Sequence, residues 1–283
     1  MDTSTAARST RWRRSLPPVS VIVAILIAAV FIVVAFFGDL IAPLDPDLQN
    51  LLMGATAPSA DHLLGTDHLG RDVFSRVIVA TGPALAGPFV VALTTVVLGA
   101  SLGLIAGFRG GRIDTIISRA ADLIWSLPGL LVAIVVIGVI QGGIWLTVVV
   151  VAFLSIPNAI RQTRSATLSQ AGLPYVAAAT TLGLSNARVM FRHVLPNVRA
   201  TVLATGMLDF VNAILIFAAL AFLRIGVVPG ESNWGLMLAE GQSLIWTNPA
   251  VIVAPALAIV AVAASITIIG DWAYDRASAE GER

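Results

Sequence analysis

The sequence predicts an all-α membrane protein with six transmembrane helices. Of its 283 residues, 57% are apolar and 12% are charged, and the mean hydropathy is +0.91. A soluble domain of this length cannot bury that much apolar surface. The apolar residues gather into six runs of roughly 17 to 25 residues, the length that crosses a bilayer as a helix. These runs cover residues 19–41, 84–108, 122–141, 144–160, 201–223 and 250–270.

The first run is predicted to remain in the membrane as an anchor. Arginines precede it, as in a secretory signal, at Arg8, Arg11, Arg13 and Arg14. The run is nevertheless longer than the apolar part of such a signal, and no small-residue cleavage site closes it. Only Gly142 and Gly143 separate the third run from the fourth, which predicts a tight helical hairpin.

The distribution of arginine predicts the orientation. The chain has 17 basic residues, all arginine, and with the N-terminus inside only Arg71, Arg76 and Arg224 lie on the outer side. Basic residues concentrate on the cytoplasmic side of membrane proteins. Both termini and the segment 161–200 are therefore predicted to face the cytoplasm.

The most informative segment is residues 175–197, YVAAATTLGLSNARVMFRHVLPN, which we call the docking loop. Pro174 fits the first turn of a helix, and Gly183 can end that helix in a left-handed conformation. Ser185 is a suitable N-cap for a second helix over 186–195, which Pro196 is expected to limit. Val176, Ala179 and Leu182, with Tyr175, are expected to form one face of the first helix.

The docking loop resembles the loop by which inner-membrane subunits of ABC importers dock on their ATPase. The family consensus is E-A-A-x-x-x-G, followed further on by an apolar residue, Leu and Pro. The matching positions are Ala177, Ala178, Ala179, Gly183, Leu195, Pro196 and Asn197. His193 stands where the family commonly has His, and with Tyr175 it completes the residues that the resemblance assigns to ATPase coupling.

Two further strings point to one branch of that family. HLLGTDHLGRDVFSR, residues 62–76, resembles the H-P-L-G-T-D-x-x-G-R-D-V-x-S-R signature of one of the two permeases of dipeptide, oligopeptide and nickel importers. Leu63 departs from it. GFRGGRIDTIISRAADLIWSLP, residues 107–128, is similar to the next motif of the same permeases. The three strings occur in the family's order.

The resemblance implies a type I ABC importer permease in the bacterial cytoplasmic membrane. Residues 1–83 would form an anchor helix and an extracytoplasmic elbow (residues 42–83), 84–275 a five-helix transport core, and 276–283 a cytoplasmic tail. The implied partners are a homologous permease, two ATP-binding subunits, an extracytoplasmic binding protein and membrane lipid, but no nucleic acid. The chain itself would bind no cofactor, and ATP and Mg would bind the partner subunits.

The signature residues of the elbow suggest either internal bracing or contact with a partner protein. Gly65 and Gly70 permit tight turns, and charged side chains near them can pair with one another or with backbone groups. The signature comprises Gly65, Thr66, Asp67, Gly70, Arg71 and Asp72. His62 and His68 raise the question of nickel or zinc binding, but two histidines in a polar loop predict no metal site.

Four residues are candidates for the translocation path or its gate. Asp209 lies within the fifth apolar run, where Asn212 or Thr205 could form a hydrogen bond to it, and it is expected either to line the path or to tie two helices together. Phe217 and Arg224 replace an acid and a glycine that the family usually has, which makes an apolar or anionic cargo plausible. Trp234 is expected at interfacial depth, in a gate, a docking surface or a simple aromatic belt.

Other classes of protein fit the sequence less well. The chain has no Cys and no G-x-x-x-x-G-K-[ST] loop, and no serine has a suitable histidine partner, so the sequence predicts no enzyme. An ion-coupled carrier or a channel subunit remains the alternative. Such a carrier should hold coupling carboxylates well within its spans, and away from the span ends only Asp209 lies there.

Overall fold

The computed structural model describes residues 17–281, and the regular structure of this part of the chain is helical. The α-helices are α1 (Val19–Ile41), α2 (Val73–Val79), α3 (Thr81–Thr94), α4 (Ala100–Arg109), α5 (Gly111–Trp125), α6 (Gly129–Ile140), α7 (Gly143–Ala171), α8 (Pro174–Thr181), α9 (Asn186–Val189), α10 (Leu195–Phe222), α11 (Trp234–Gly241) and α12 (Ala250–Gly281). Two π-helical segments, Thr95–Gly99 and Met190–Val194, and a 3₁₀ turn, Gln242–Leu244, complete them. The arginines before the first span lie outside the described residues.

Five described helical runs are long and apolar enough to cross a membrane, and a bent pair forms the sixth candidate span. The first run, α1, has the predicted bounds. The expected turn between the third and fourth runs is also present, because α6 ends at Ile140 and α7 begins at Gly143. The prediction of an all-α membrane protein is thus confirmed.

The third predicted span, residues 122–141, is wrong as a single helix. α5 and α6 meet at an angle of 74°. The break falls between Trp125 and Gly129, where Pro128 lacks an N–H and restricts the backbone of the residue before it. α5 keeps a mostly exposed polar face, and α6 supplies the apolar half.

The remaining spans are longer than predicted. The second begins at Val73 rather than at residue 84, because Asp72 caps α2 and Pro83 fits the first turn of α3. α7 and α12 continue past the predicted ends by about three turns each, into segments that include polar residues. The elbow's last residues are therefore already helical.

The expectation that Pro196 limits the second helix of the docking loop is also wrong. α9 passes through the π segment Met190–Val194 directly into α10, of which Pro196 occupies the first turn. The Leu195 N–H donates to the Met190 carbonyl, five residues back. The wider turn accommodates a proline ring that would clash in a regular α-helix.

α10 lies at the centre of the bundle and packs against α3, α7, α11 and α12. α1 packs on the outside against α12 and α3, and only three of its residues are buried. The 28 residues of α10 span about 42 Å. They separate the end that holds the docking loop (the loop end) from the end that holds the elbow (the elbow end).

Candidate functional site

The docking loop begins with a short helix whose two ends agree with the sequence prediction. Pro174 occupies the first turn of α8. Gly183 follows the helix at a φ of +77°, and its N–H donates to the Thr180 carbonyl at 3.0 Å. Ser185 then caps α9 by accepting a hydrogen bond from the Arg188 N–H at 3.4 Å.

The two faces of α8 have different surroundings. Val176 and Ala179 are buried in the chain's own core, at 6% and 7% exposure. Ala177 and Ala178 are exposed, and Leu182, just past the helix, is 81% exposed. The expected face of Val176, Ala179 and Leu182 is therefore split, and the surface open to another protein is the opposite, alanine-bearing side.

A chain of polar contacts holds the docking loop to the long helices. The Tyr175 hydroxyl donates to Gln170 Oε1 on α7 at 3.0 Å. Asn197 Nδ2, on α10, donates to that hydroxyl at 3.2 Å and to the His193 carbonyl at 2.8 Å. Three residues assigned to coupling thus join α7, α8 and α10.

Apolar packing reinforces this connection. One buried cluster contains residues of α4, α8, α9 and α10 and the π segment before α10, among them Leu104, Val176, Val189 and Val198. Protein interiors are closely packed and deform little. α8 and the adjoining ends of the membrane helices are therefore packed into one cluster.

At the elbow end, the two signature glycines occupy positions that need glycine. Gly65 and Gly70 have φ values of +70° and +74°. A Cβ at Gly65 would collide with the Thr56 carbonyl, and one at Gly70 with the Asn50 carbonyl. The fully buried Thr66 hydroxyl donates to the Gly54 carbonyl at 2.7 Å, which joins two segments of the elbow.

Three buried charged residues and the partly buried Glu240 link the elbow to the segment before α12. Asp67 Oδ2 accepts hydrogen bonds from Arg71 Nε at 2.7 Å and from Arg76 Nη1 at 2.6 Å. Glu240, on α11, accepts from the same two arginines at 3.1 and 2.9 Å. Arg71 also donates to the Gly230 carbonyl at 2.9 Å. We call Asp67, Arg71, Arg76 and Glu240 the charge brace.

The charge brace keeps its central carboxylate ionised. Burial alone would raise the pKa of Asp67, but the charges of Arg76 and Arg71 and the hydrogen bond from the Arg71 N–H outweigh it and lower the pKa. A lowered pKa in the folded state stabilises the fold at pH values above the unfolded-state pKa of about 3.9. That stabilisation is lost as the pH falls through the lowered pKa.

Contacts of two further residues, Asp72 and Asn248, fix the elbow. Asp72 caps α2 by accepting from the Ser75 N–H at 2.8 Å, and its other oxygen lies 2.9 Å from His62 Nδ1. Asn248, fully buried before α12, donates to the Leu64 and Thr66 carbonyls at 2.9 and 3.1 Å. The contacts of the signature residues are those of an internal brace.

One described cluster has the composition of a metal site. Oxygen or nitrogen atoms of Asp67, His68 and Glu240 lie within 4.8 Å of one another. Both carboxylates, however, already accept hydrogen bonds from Arg71 and Arg76. Two adjacent guanidinium groups oppose a further cation there.

Asp209 lies inside the helix bundle. It is 3% exposed, and its Oδ1 accepts a hydrogen bond from Asn158 Nδ2 on α7 at 3.1 Å. The expected partners Asn212 and Thr205 do not bond to it within the described structure. The hydrogen bond ties α10 to α7. Because Asp209 is enclosed, it lines no open path in this conformation.

Phe217 and Trp234 also contact the chain's own core. The Phe217 ring fills the space above Gly87 of α3, where a Cβ would collide with it. Trp234 is 1% exposed, and its indole N–H donates to the Val77 carbonyl at 3.0 Å. Trp234 is therefore enclosed by the chain's own core and does not belong to an exposed aromatic belt. The Trp234 ring packs edge-to-face against Phe31 of α1, with the ring centroids 5.8 Å apart.

Three contributing residues escaped the sequence interpretation. Glu240 was visible as an acid in an apolar stretch, but its partners are more than 160 positions away in the chain. Asn158 and Asn248 also gave a signal, as amides within an apolar run and just before one, respectively. Their partners depend on tertiary packing that local pattern does not encode.

The fold and motifs define an inner-membrane component of a binding-protein-dependent transport system. A family model of that description matches residues 99–279, and the chain belongs to this family. It is 34% identical over 268 residues to the glutathione transport system permease protein GsiD of Pectobacterium atrosepticum, covering 93% of this chain and 88% of that one. It is 37% identical over 251 residues to the di/tripeptide permease DppC of Pseudomonas aeruginosa, covering 85% and 82%.

A third relative is the oligopeptide permease OppC of Bacillus subtilis, which is 32% identical over 253 residues, 89% of this chain and 83% of that one. Among solved structures, an inward-facing form of the MetNI methionine ABC transporter matches with a TM-score of 0.60. The match has 17% identity and covers 71% of this chain and 96% of that one. This likeness shows the type I importer permease fold. The chain is a multi-pass permease of the inner membrane.

Proposed function

We propose that this permease carries peptides, or a related small solute bearing peptide-like groups, into the cell in an ATP-driven complex. The observation that carries the proposal is α8, a short helix that is exposed on its alanine side and packed on its other side into the membrane helices. Relatives named as dipeptide, oligopeptide and glutathione permeases support the class of cargo.

The proposed complex contains a second, homologous permease, two ATP-binding subunits and an extracytoplasmic binding protein. ATP and Mg bind the ATP-binding subunits, and this chain is not itself catalytic. Residues 1–83 serve as anchor and elbow, 84–275 as the transport core and 276–283 as the tail. The exposed apolar surface of α1, such as Phe36 at 80% exposure, faces lipid.

In the proposed mechanism, closure of the ATP-binding subunits displaces α8. The contacts of Tyr175 and Asn197, with the buried cluster beneath α8, transmit that displacement to α4, α7 and α10. The bundle then shifts between outward and inward access, because the docked subunit binds the loop differently in the two states. The elbow end remains rigid through its charge brace.

The experiment that tests this function is uptake in proteoliposomes. The permease pair, the ATP-binding subunits and the binding protein should import a labelled di- or tripeptide when ATP is supplied on the loop side. The matched control carries a hydrolysis-deficient ATP-binding subunit. Equal uptake with and without hydrolysis would contradict an ATP-driven importer and favour a carrier or channel.

The orientation makes a separate prediction, tested in this Cys-free chain with single cysteines and an impermeant maleimide. Ser59 and Val228 at the elbow end, both exposed, should be labelled in intact spheroplasts when replaced by Cys. Ala187→Cys, exposed at the loop end, should be labelled only after lysis. Labelling of position 187 before lysis would reverse the orientation and exclude docking of a cytoplasmic ATPase there.

A further inference from the structure

Helix α10 ends in a motif that normally uses glycine, and this chain places arginine there. The Ile225 N–H donates to the Leu220 carbonyl and the Arg224 N–H to the Ala221 carbonyl, each at 2.9 Å. This pair of hydrogen bonds is the Schellman motif, whose left-handed residue is usually Gly. Arg224 adopts a φ of +60°. A residue with a Cβ pays a conformational cost at this position.

The Arg224 side chain is exposed and unpaired. Among the described side chains of residues 17–278 it has no carboxylate within 4.0 Å and donates no hydrogen bond. It lines a cavity of about 550 Å³ at the elbow end, together with Asp47, Gln49, His68, Pro229 and Leu236. The volume falls within the range of small-molecule sites, roughly 300 to 1,000 Å³.

Of the two arginines that line the cavity in the described structure, Arg224 is the one available to bind an anion. Arg71 also reaches the wall, but its guanidinium is bound to Asp67, Glu240 and the Gly230 carbonyl. Asp47 is exposed and opposite in sign to Arg224, yet the two form no ion pair. A guanidinium that is free to form paired hydrogen bonds fits a carboxylate well.

We infer that Arg224 and the surrounding cavity form a subsite for the free carboxylate of the cargo as it enters the permease. This inference rests on the proposed import of peptide-like solutes and narrows it to solutes with a free carboxylate. The concave, partly polar lining favours a small solute over the flatter contact of a docked protein. The strained backbone at Arg224 is consistent with a side chain kept for binding rather than for stability.

The test compares uptake of dialanine with uptake of dialanine amide in the reconstituted complex. Each result is expressed as the acid-to-amide ratio relative to the unmodified permease with the same binding protein, so that the selectivity of the binding protein cancels. Arg224→Gly should lower the ratio on the order of tenfold, because one charge-assisted hydrogen-bonding group is lost. The same variant should raise the melting temperature of the purified permease, because glycine relieves the strain.

Two variants control for charge and cavity shape. Arg224→Lys should keep most of the preference for the acid, because it keeps the positive charge and leaves the backbone conformation unchanged. Asp47→Asn, in the same cavity, should keep or increase the preference for the acid, because this variant removes a negative charge. An unchanged ratio in Arg224→Gly would overturn the inference. An equal fall in uptake of acid and amide would also overturn it and would assign Arg224 to contact with the binding protein. Absence of ATP-driven uptake by the unmodified complex would instead contradict the proposed function.

Discussion

Ala178→Glu is expected to reduce ATP-driven uptake to background while the permease still inserts and folds. Ala178 lies on the exposed side of α8, away from the buried Val176 and Ala179. A glutamate there would place a carboxylate in a close contact between subunits. Burial of an unpaired charge costs several kcal/mol, and about 1.4 kcal/mol corresponds to a tenfold loss in binding.

The measurements are co-purification of the ATP-binding subunits and uptake, with permease yield as the control. Ala178→Ser, which is small and neutral, should retain both. Ala179→Glu gives a useful contrast, because its carboxylate would enter the chain's own core and should lower the permease yield itself. Normal co-purification and uptake by Ala178→Glu would exclude this face from docking.

Arg76→Ala is expected to destabilise the elbow end by about 3 to 5 kcal/mol, because removing one partner leaves buried charge unpaired. Arg76 is fully buried, and its Nη1 donates to both Asp67 and Glu240. Its loss leaves two carboxylates to share Arg71. We expect low yield of the folded permease in detergent and a lower melting temperature.

A double variant separates loss of charge balance from loss of the side chain. Arg76→Met with Glu240→Met leaves the Asp67–Arg71 pair neutral, and replacing a buried ion pair by apolar residues is often tolerated. This double variant should recover much of the yield of folded permease that Arg76→Ala loses. Arg224→Gly removes an exposed arginine at the same end and should not lower it. If Arg76→Ala retained the yield and melting temperature of the unmodified permease, the brace would not stabilise the elbow.

Short sequence patterns correctly predicted helix bounds that depend on neighbouring residues in the chain. The bounds of α1 follow from one uninterrupted apolar run, and those of α8 follow from Pro174 and Gly183. Pro196 misled the prediction, since a π segment accommodates it without ending the helix. Pro128 was overlooked as a helix breaker, and the break before it divides an apolar run that looked continuous.

Contacts between distant segments could not be predicted from the local pattern. The motif indicated that Asp67, Arg71 and Asp72 matter, but Glu240 completes the charge brace from across the sequence. Trp234 looked interfacial because tryptophan favours membrane boundaries, whereas packing against Phe31 of α1 encloses it. Side-chain burial in a helical bundle depends on which faces meet, and that information is nonlocal.

A photo-cross-link from the docking loop to the ATP-binding subunit tests most directly whether α8 docks on that subunit. Leu182→Cys, at an 81% exposed position, would carry a benzophenone maleimide in the otherwise Cys-free chain within the assembled complex. Val228→Cys, 65% exposed at the elbow end, is the matched control. If α8 docks there, adducts with the ATP-binding subunit form from position 182 alone, in a yield that changes when ATP binds. No such adduct from position 182, or an equal yield from position 228, would contradict docking of α8 on that subunit.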